Sequence, residues 1–117
     1  MKALLSLLAA LVVTSCASHS DAHGWKKEDV IGFTLSIVDD AAIESYRFQA
    51  EGHAIAHFGV KGGPVAGPVV DWKIDDGRLI IFDEDRTRRR LTLVEMKGTD
   101  VVTRTQWGRT LKWRLTR

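Results

Sequence analysis

Beyond residue 30 the chain alternates apolar and polar positions with a period of two. Phe33, Leu35 and Ile37 alternate with Thr34 and Ser36, and Tyr46, Phe48 and Ala50 with Arg47 and Gln49. Val70, Trp72 and Ile74 alternate with Asp71 and Lys73, and Leu111, Trp113 and Leu115 with Lys112 and Arg114. That period marks strands with one face dry and one face wet. Leu79-Ile80-Ile81-Phe82 is apolar on both faces, which predicts a central or covered strand. Asp76-Gly77 is a strong hairpin signal, because a type I′ turn needs positive φ at both central residues. Glu51-Gly52, Lys97-Gly98 and Trp107-Gly108 are weaker turn signals. Strands are predicted near 31–38, 43–50, 53–59, 69–75, 78–83, 89–96, 100–106 and 109–116. Eight or so short antiparallel strands joined mostly by tight turns predict an all-β domain, a small up-and-down barrel or a curved sandwich. No stretch of this body shows sustained helical periodicity.

The N-terminus follows another rule. Lys2 precedes an apolar run from Ala3 to Val13, and Val13-Thr14-Ser15-Cys16 closes it. The run is too short to span a bilayer as a helix, which takes about 20 apolar residues. A charged start, a short apolar stretch and a small-residue end predict an export signal, helical over 1–15. The segment from Ala17 to Gly24 is small and polar and reads as a tether. Residues 25–117 then form the folded body, of a size that suits one domain.

Val13-Thr14-Ser15-Cys16 resembles the lipobox of bacterial lipoproteins. The resemblance implies a diacylglyceryl group on the Cys16 sulfur, membrane anchoring and a cell-envelope location. Ala17, where retained lipoproteins carry Asp, implies the periplasmic face of the outer membrane if the source is Gram-negative. Cys16 is the only cysteine, so acylation leaves the body with neither a disulfide nor a nucleophilic thiol. The body in turn resembles the lipocalin-like (calycin) barrels. Trp25 ahead of the first strand, Tyr46-Arg47-Phe48 before Glu51-Gly52, and Val70-Asp71-Trp72 leading to Asp76-Gly77-Arg78-Leu79 carry that resemblance. It departs from them in lacking G-x-W, since Gly24 directly precedes Trp25. An eight-stranded barrel is just wide enough for side chains or one small ligand. Tyr46, Phe48, Trp72 and Trp113 are therefore both core candidates and the candidate lining of an apolar ligand pocket. The four tryptophans, Trp25, Trp72, Trp107 and Trp113, stand mostly at core-facing positions.

Composition, 44% hydrophobic and 27% charged, is that of a globular chain and argues against disorder. The charge is unevenly spread. Residues 17–85 hold 13 acidic and 6 basic side chains, and residues 86–117 hold 2 acidic and 10 basic. Arg88, Arg90, Arg104, Lys112 and Arg114 form a basic face on this reading, suited to anionic lipid headgroups or acidic envelope polymers. The competing reading pairs them across strands with acids such as Asp83 and Glu84. Export excludes nucleic acid as a partner.

Catalytic and metal chemistry have little support. His53 and His57 share one strand face, but i and i+4 lie about 13 Å apart at roughly 3.3 Å per residue, too far to chelate one ion. His19 and His23 near Asp21 lie in the tether with nothing to preorganise them. Asp39-Asp40 and Asp75-Asp76 sit at turns, where Asp serves backbone geometry. The loop from Gly59 to Pro68 holds both prolines and matches no phosphate-binding fingerprint. The sequence therefore predicts a lipid-anchored, non-enzymatic binding protein without cofactor. Its ligand is a small apolar molecule or an envelope component. The alternative is an interaction or inhibitor-type module acting through the basic face or the Gly/Pro loop. The anchor is directly testable: Cys16→Ser is expected to lose incorporation of labelled fatty acid and to leave the membrane fraction, and persistent labelling would refute it.

Overall fold

The computed structural model describes residues 24–84 and 86–117. The expected signal peptide, Cys16 and most of the tether lie outside the described residues. A one-turn helix α1 (Lys27–Val30) precedes nine strands: β1 (Thr34–Ile37), β2 (Ala42–Phe48), β3 (His53–Val60), β4 (Val65–Ala66) and β5 (Val69–Asp75), then β6 (Arg78–Asp83), β7 (Arg86–Lys97), β8 (Asp100–Arg104) and β9 (Thr110–Thr116). Every pairing is antiparallel. β9 returns to β1, with Thr34 opposite Thr116 and Ile37 opposite Trp113. β2 pairs with both β1 and β3, so eight strands close into a ring and β4 hangs on β3. Between barrel and sandwich, the chain is a closed up-and-down barrel.

Ring closure follows from the alternation. Leu35, Tyr46, Phe48, Val70, Trp72, Leu79, Ile81, Leu91, Val101, Trp113 and Leu115 all point inward and are buried. The large rings of β2 face small residues on β3: Tyr46 lies opposite Ala56, and Phe48 opposite Ala54. Tyr46 packs 6.2 Å from both Phe48 and Trp113, centroid to centroid, and Phe48 meets Trp72 edge-on at 5.4 Å. Each such side chain contributes about 1.5–3 kcal/mol by leaving water. Of the three buried indoles, Trp72 and Trp113 have their N–H groups satisfied within the fold, while Trp25 Nε1 has no partner among the described residues. Trp113 Nε1 donates to Thr103 Oγ1 at 2.8 Å and Trp72 Nε1 to the Gln49 carbonyl at 2.9 Å.

Ile80 points outward from β6 and is still only 6% exposed, although no second layer among the described residues covers it. Its cross-strand neighbours are Lys73 and Arg90. Their long aliphatic stems are suited to cover it while the charged heads stay wet.

Three local features depart from the period-two reading. Residues 27–30 are helical, with Val30 fully buried beside Trp25 at one end of the barrel. One turn is too short to show a 3.6-residue period. The loop after β3 folds back as β4, with Gly59 opposite Val65. A Cβ on Gly59 would sit 2.4 Å from the Pro64 carbonyl oxygen, so the close approach needs glycine there. Finally, β7 runs longer than expected and carries register shifts opposite Ile81/Phe82 and between Leu93 and Glu95.

In an up-and-down ring the connections alternate between ends. Turns β2–β3, β5–β6 and β7–β8 lie at the end where the chain enters, and Trp25 N donates to the Gly77 carbonyl there. Connections β1–β2, β3–β5, β6–β7 and β8–β9 lie at the other end. The β5–β6 turn has φ of 53° at Asp76 and 72° at Gly77, as the sequence requires. Gly77→Ala is expected to cost about 1–2 kcal/mol by forcing a Cβ into the left-handed region, read as a lower urea midpoint.

Candidate functional site

The end away from the chain's entry carries the most unusual side chains. Trp107 is 71% exposed at the tip of the β8–β9 turn. It is the one tryptophan of the four that is not in the core. The turn holding it is firmly built. Thr105 is buried; its N–H donates to the Arg109 carbonyl at 2.8 Å, and its own carbonyl accepts from Gly108 N at 2.9 Å. The Thr105 hydroxyl accepts from Trp107 N at 3.3 Å and Arg109 N at 3.2 Å. Gln106 then ties the tip to β7. Its Oε1 accepts from Arg90 N at 2.9 Å and its Nε2 donates to the Arg88 carbonyl at 3.4 Å.

That stretch of β7 is a bulge. Ile81 pairs with Arg89 and Phe82 with Thr87, which leaves Arg88 as the extra residue. The two residues of a bulge that oppose one partner no longer alternate. Arg89 therefore turns inward beside Ile81, and Arg88 leans over the same opening, its guanidinium 5.0 Å from the Phe58 ring centroid. Arg88 is thus separated from the basic face on which the sequence reading placed it. Its pairing with Asp83 is 3.5 Å long, and both side chains are 40–45% exposed, so the pair contributes little.

Beneath Trp107 lies a charged knot. Arg89 donates from Nε to Glu44 Oε2 at 2.9 Å and from Nη2 to Oε1 at 2.7 Å. The Tyr46 hydroxyl donates to Glu44 Oε2. Both carboxylate oxygens are occupied, so Glu44 is poorly suited to act as a base. Hydrogen bonding to Glu44 holds Arg89 protonated still more firmly, outweighing its partial burial. Burial first, and then the Glu44 carboxylate, push the Tyr46 phenol well above its ordinary value of 10.0. Glu44, Tyr46, Phe58, Thr87, Arg88, Arg89 and Trp107 line a cleft of about 400 Å³, broad and open to solvent.

The remaining candidates lie elsewhere. Arg90, Arg104, Lys112 and Arg114 are exposed on β7, β8 and β9. Arg114 faces Asp100 across the ladder at 3.9 Å, while Arg90, Arg104 and Lys112 have no ion pair among the described residues. Tyr46, Phe48, Trp72 and Trp113 are each 4% exposed or less and pack on one another, so together they fill the interior that they would have lined. His53 and His57 are exposed, and His53 Nδ1 lies 3.1 Å from its cross-strand neighbour Asp71. No group of three or more metal-ligating side chains gathers among the described residues. Asp39 Oδ2 accepts from Ala41 N at 2.9 Å and Ala42 N at 2.6 Å. These bonds, Ala42 first, lower the Asp39 pKa and give it the turn role expected of it. In the Gly/Pro loop, Lys61 Nζ donates to the Asp39 carbonyl at 2.7 Å, which pins the loop to the β1–β2 turn.

No protein-family model, no curated protein and no solved structure matches this chain.

Tyr46 is the only tyrosine, so phenolate absorbance reads it alone. Native protein is expected to show no titration near pH 10, and the absorbance to rise only on unfolding. The native state keeps a proton that the unfolded chain releases, so stability is full below the ordinary tyrosine value and falls as pH rises above it. Glu44→Leu is expected to bring the titration down while costing about 2–4 kcal/mol through the unpartnered Arg89. A native titration at the ordinary value would contradict the knot.

Proposed function

We propose that this chain is a lipid-anchored cell-envelope protein that binds rather than catalyses, and that it recognises an envelope component at the open end of its barrel. The observation that carries this reading is Trp107, a large apolar side chain held 71% exposed on a braced turn beside two arginines. Leaving an indole in water is costly, and a rigid aromatic next to arginine is the composition of binding hot spots. The filled interior favours such a surface over an enclosed apolar ligand. The eight-stranded up-and-down closure supports a lipocalin-like architecture with a packed centre. The lipobox resemblance at Cys16 supports the anchor. Arg90, Arg104 and Lys112 extend positive charge along the neighbouring wall and favour an anionic partner.

The test uses unacylated Cys16→Ser protein sedimented with isolated envelope fractions: anionic phospholipid vesicles, and purified cell-wall polymer. Retention on one fraction is expected, and Trp107→Ala with Arg88→Glu should reduce it about tenfold or more. Val69→Ser, an exposed change on β5, should leave it unaltered. Retention indifferent to Trp107 and Arg88 would overturn the reading.

A further inference from the structure

We infer that the open-end cleft is a subsite for one carboxylate-bearing ring, and that the ring it fits is an acidic sugar unit of a saccharide. This rests on the open end being the recognition surface. About 400 Å³ holds a single substituted ring and lies toward the small end of ligand sites.

The polar part of the site selects an anion. A guanidinium has five N–H donors, and Glu44 takes one from Nε and one from Nη2 of Arg89. The two-point pairing fixes the guanidinium plane beside the Tyr46 hydroxyl and leaves donors beyond the two that Glu44 takes. Arg88 stands over the same opening and is held only by its ring contact and a long, exposed pairing with Asp83. Exchanging that pairing for a ligand carboxylate costs little. Glu44 has both oxygens engaged and offers a cationic ligand nothing comparable.

The apolar part selects the kind of ring. Trp107 is the one highly exposed aromatic ring lining the cleft, since Arg88 lies over the ring of Phe58 and Tyr46 is buried. A ligand ring is therefore stacked on one side only, and its other side faces water because the cleft is open. A flat aromatic acid gains most from enclosure on both faces. A pyranose has a C–H face to lay on an indole and hydroxyls that stay hydrated. The open sides also let a longer saccharide continue in either direction.

Three of the four tryptophans are buried, so acrylamide quenching of the detergent-solubilised full chain reports Trp107. The probes are oligogalacturonate, its methyl ester, a neutral maltooligosaccharide and naphthoate. Oligogalacturonate is expected to protect Trp107 from quenching. The methyl ester and the neutral saccharide should bind about tenfold more weakly or worse, and Arg88→Gln should abolish the difference between acid and ester. Equilibrium dialysis of Trp107→Ala, which has no reporter, should show the affinity for oligogalacturonate lost. Equal binding of acid and ester would overturn the carboxylate assignment, and tighter binding of naphthoate would overturn the sugar assignment. If no probe binds while envelope retention still depends on Trp107, the ligand class is wrong and the open-end reading stands. If both fail, both readings fall.

Discussion

An eight-stranded ring has room inside for one layer of side chains, and that limit governs everything else in this barrel. Tyr46, Phe48, Trp72 and Trp113 occupy the space, with Ala54 and Ala56 set opposite the β2 rings to let them in. The indole N–H groups that would orient a ligand are spent on Thr103 and the Gln49 carbonyl. With the centre packed, recognition moves to the rim and the outer wall. The stability of a domain without a disulfide rests on the same packing, so enlarging Ala54 or Ala56 would strain the ring that holds the rim in place.

The rim is made by a break in regularity. A β-strand that alternated perfectly through Arg88, Arg89 and Arg90 would send Arg89 alone inward, a lone cation above an apolar core. The extra residue at Arg88 keeps two guanidiniums at the opening, and Glu44 neutralises the deeper one. Such a partly buried pair is weak support for stability, because desolvation offsets much of the attraction. Its clearer consequence is geometric: the two-point contact fixes the Arg89 plane, and Gln106 fixes the backbone of Arg88 and Arg90 against the Trp107 turn.

The regular part of this architecture was legible in the sequence because alternation and turn chemistry act locally. Asp76-Gly77 announced its turn, and the inward residues of β1, β2, β5 and β9 followed from parity alone. The site was less legible for the same reason. Period-two counting assigned Arg88 and Arg90 to one face, and it cannot see a bulge whose register is set by the partner strand. Even so, three consecutive arginines at 88–90 were a signal that strict alternation was breaking. Parity places most of the tryptophans in the core, and the exception, Trp107, is the one that the Trp107-Gly108 turn signal sets apart. The Glu44–Arg89 pair joins residues 45 positions apart, and only ring closure brings them together.

Topology also places the rim. Because connections alternate between ends, the β8–β9 turn and the point where the chain reaches Gly77 must lie at opposite ends of the ring. Seven-residue strands at roughly 3.3 Å per residue, tilted near 40°, make the wall about 18 Å tall. With the anchor proposed at Cys16, the rim is the end of the ring opposite the chain's entry, and a tether whose reach exceeds the height of the wall does not fix which way the rim faces. A polymer lying beyond the membrane surface is within reach, since eight tether residues extend at most about 26–29 Å. The exposed cations of the side wall, Arg90, Arg104 and Lys112, run along β7 to β9 toward the rim. They suit the flank of an extended anionic chain whose one unit is seated under Trp107.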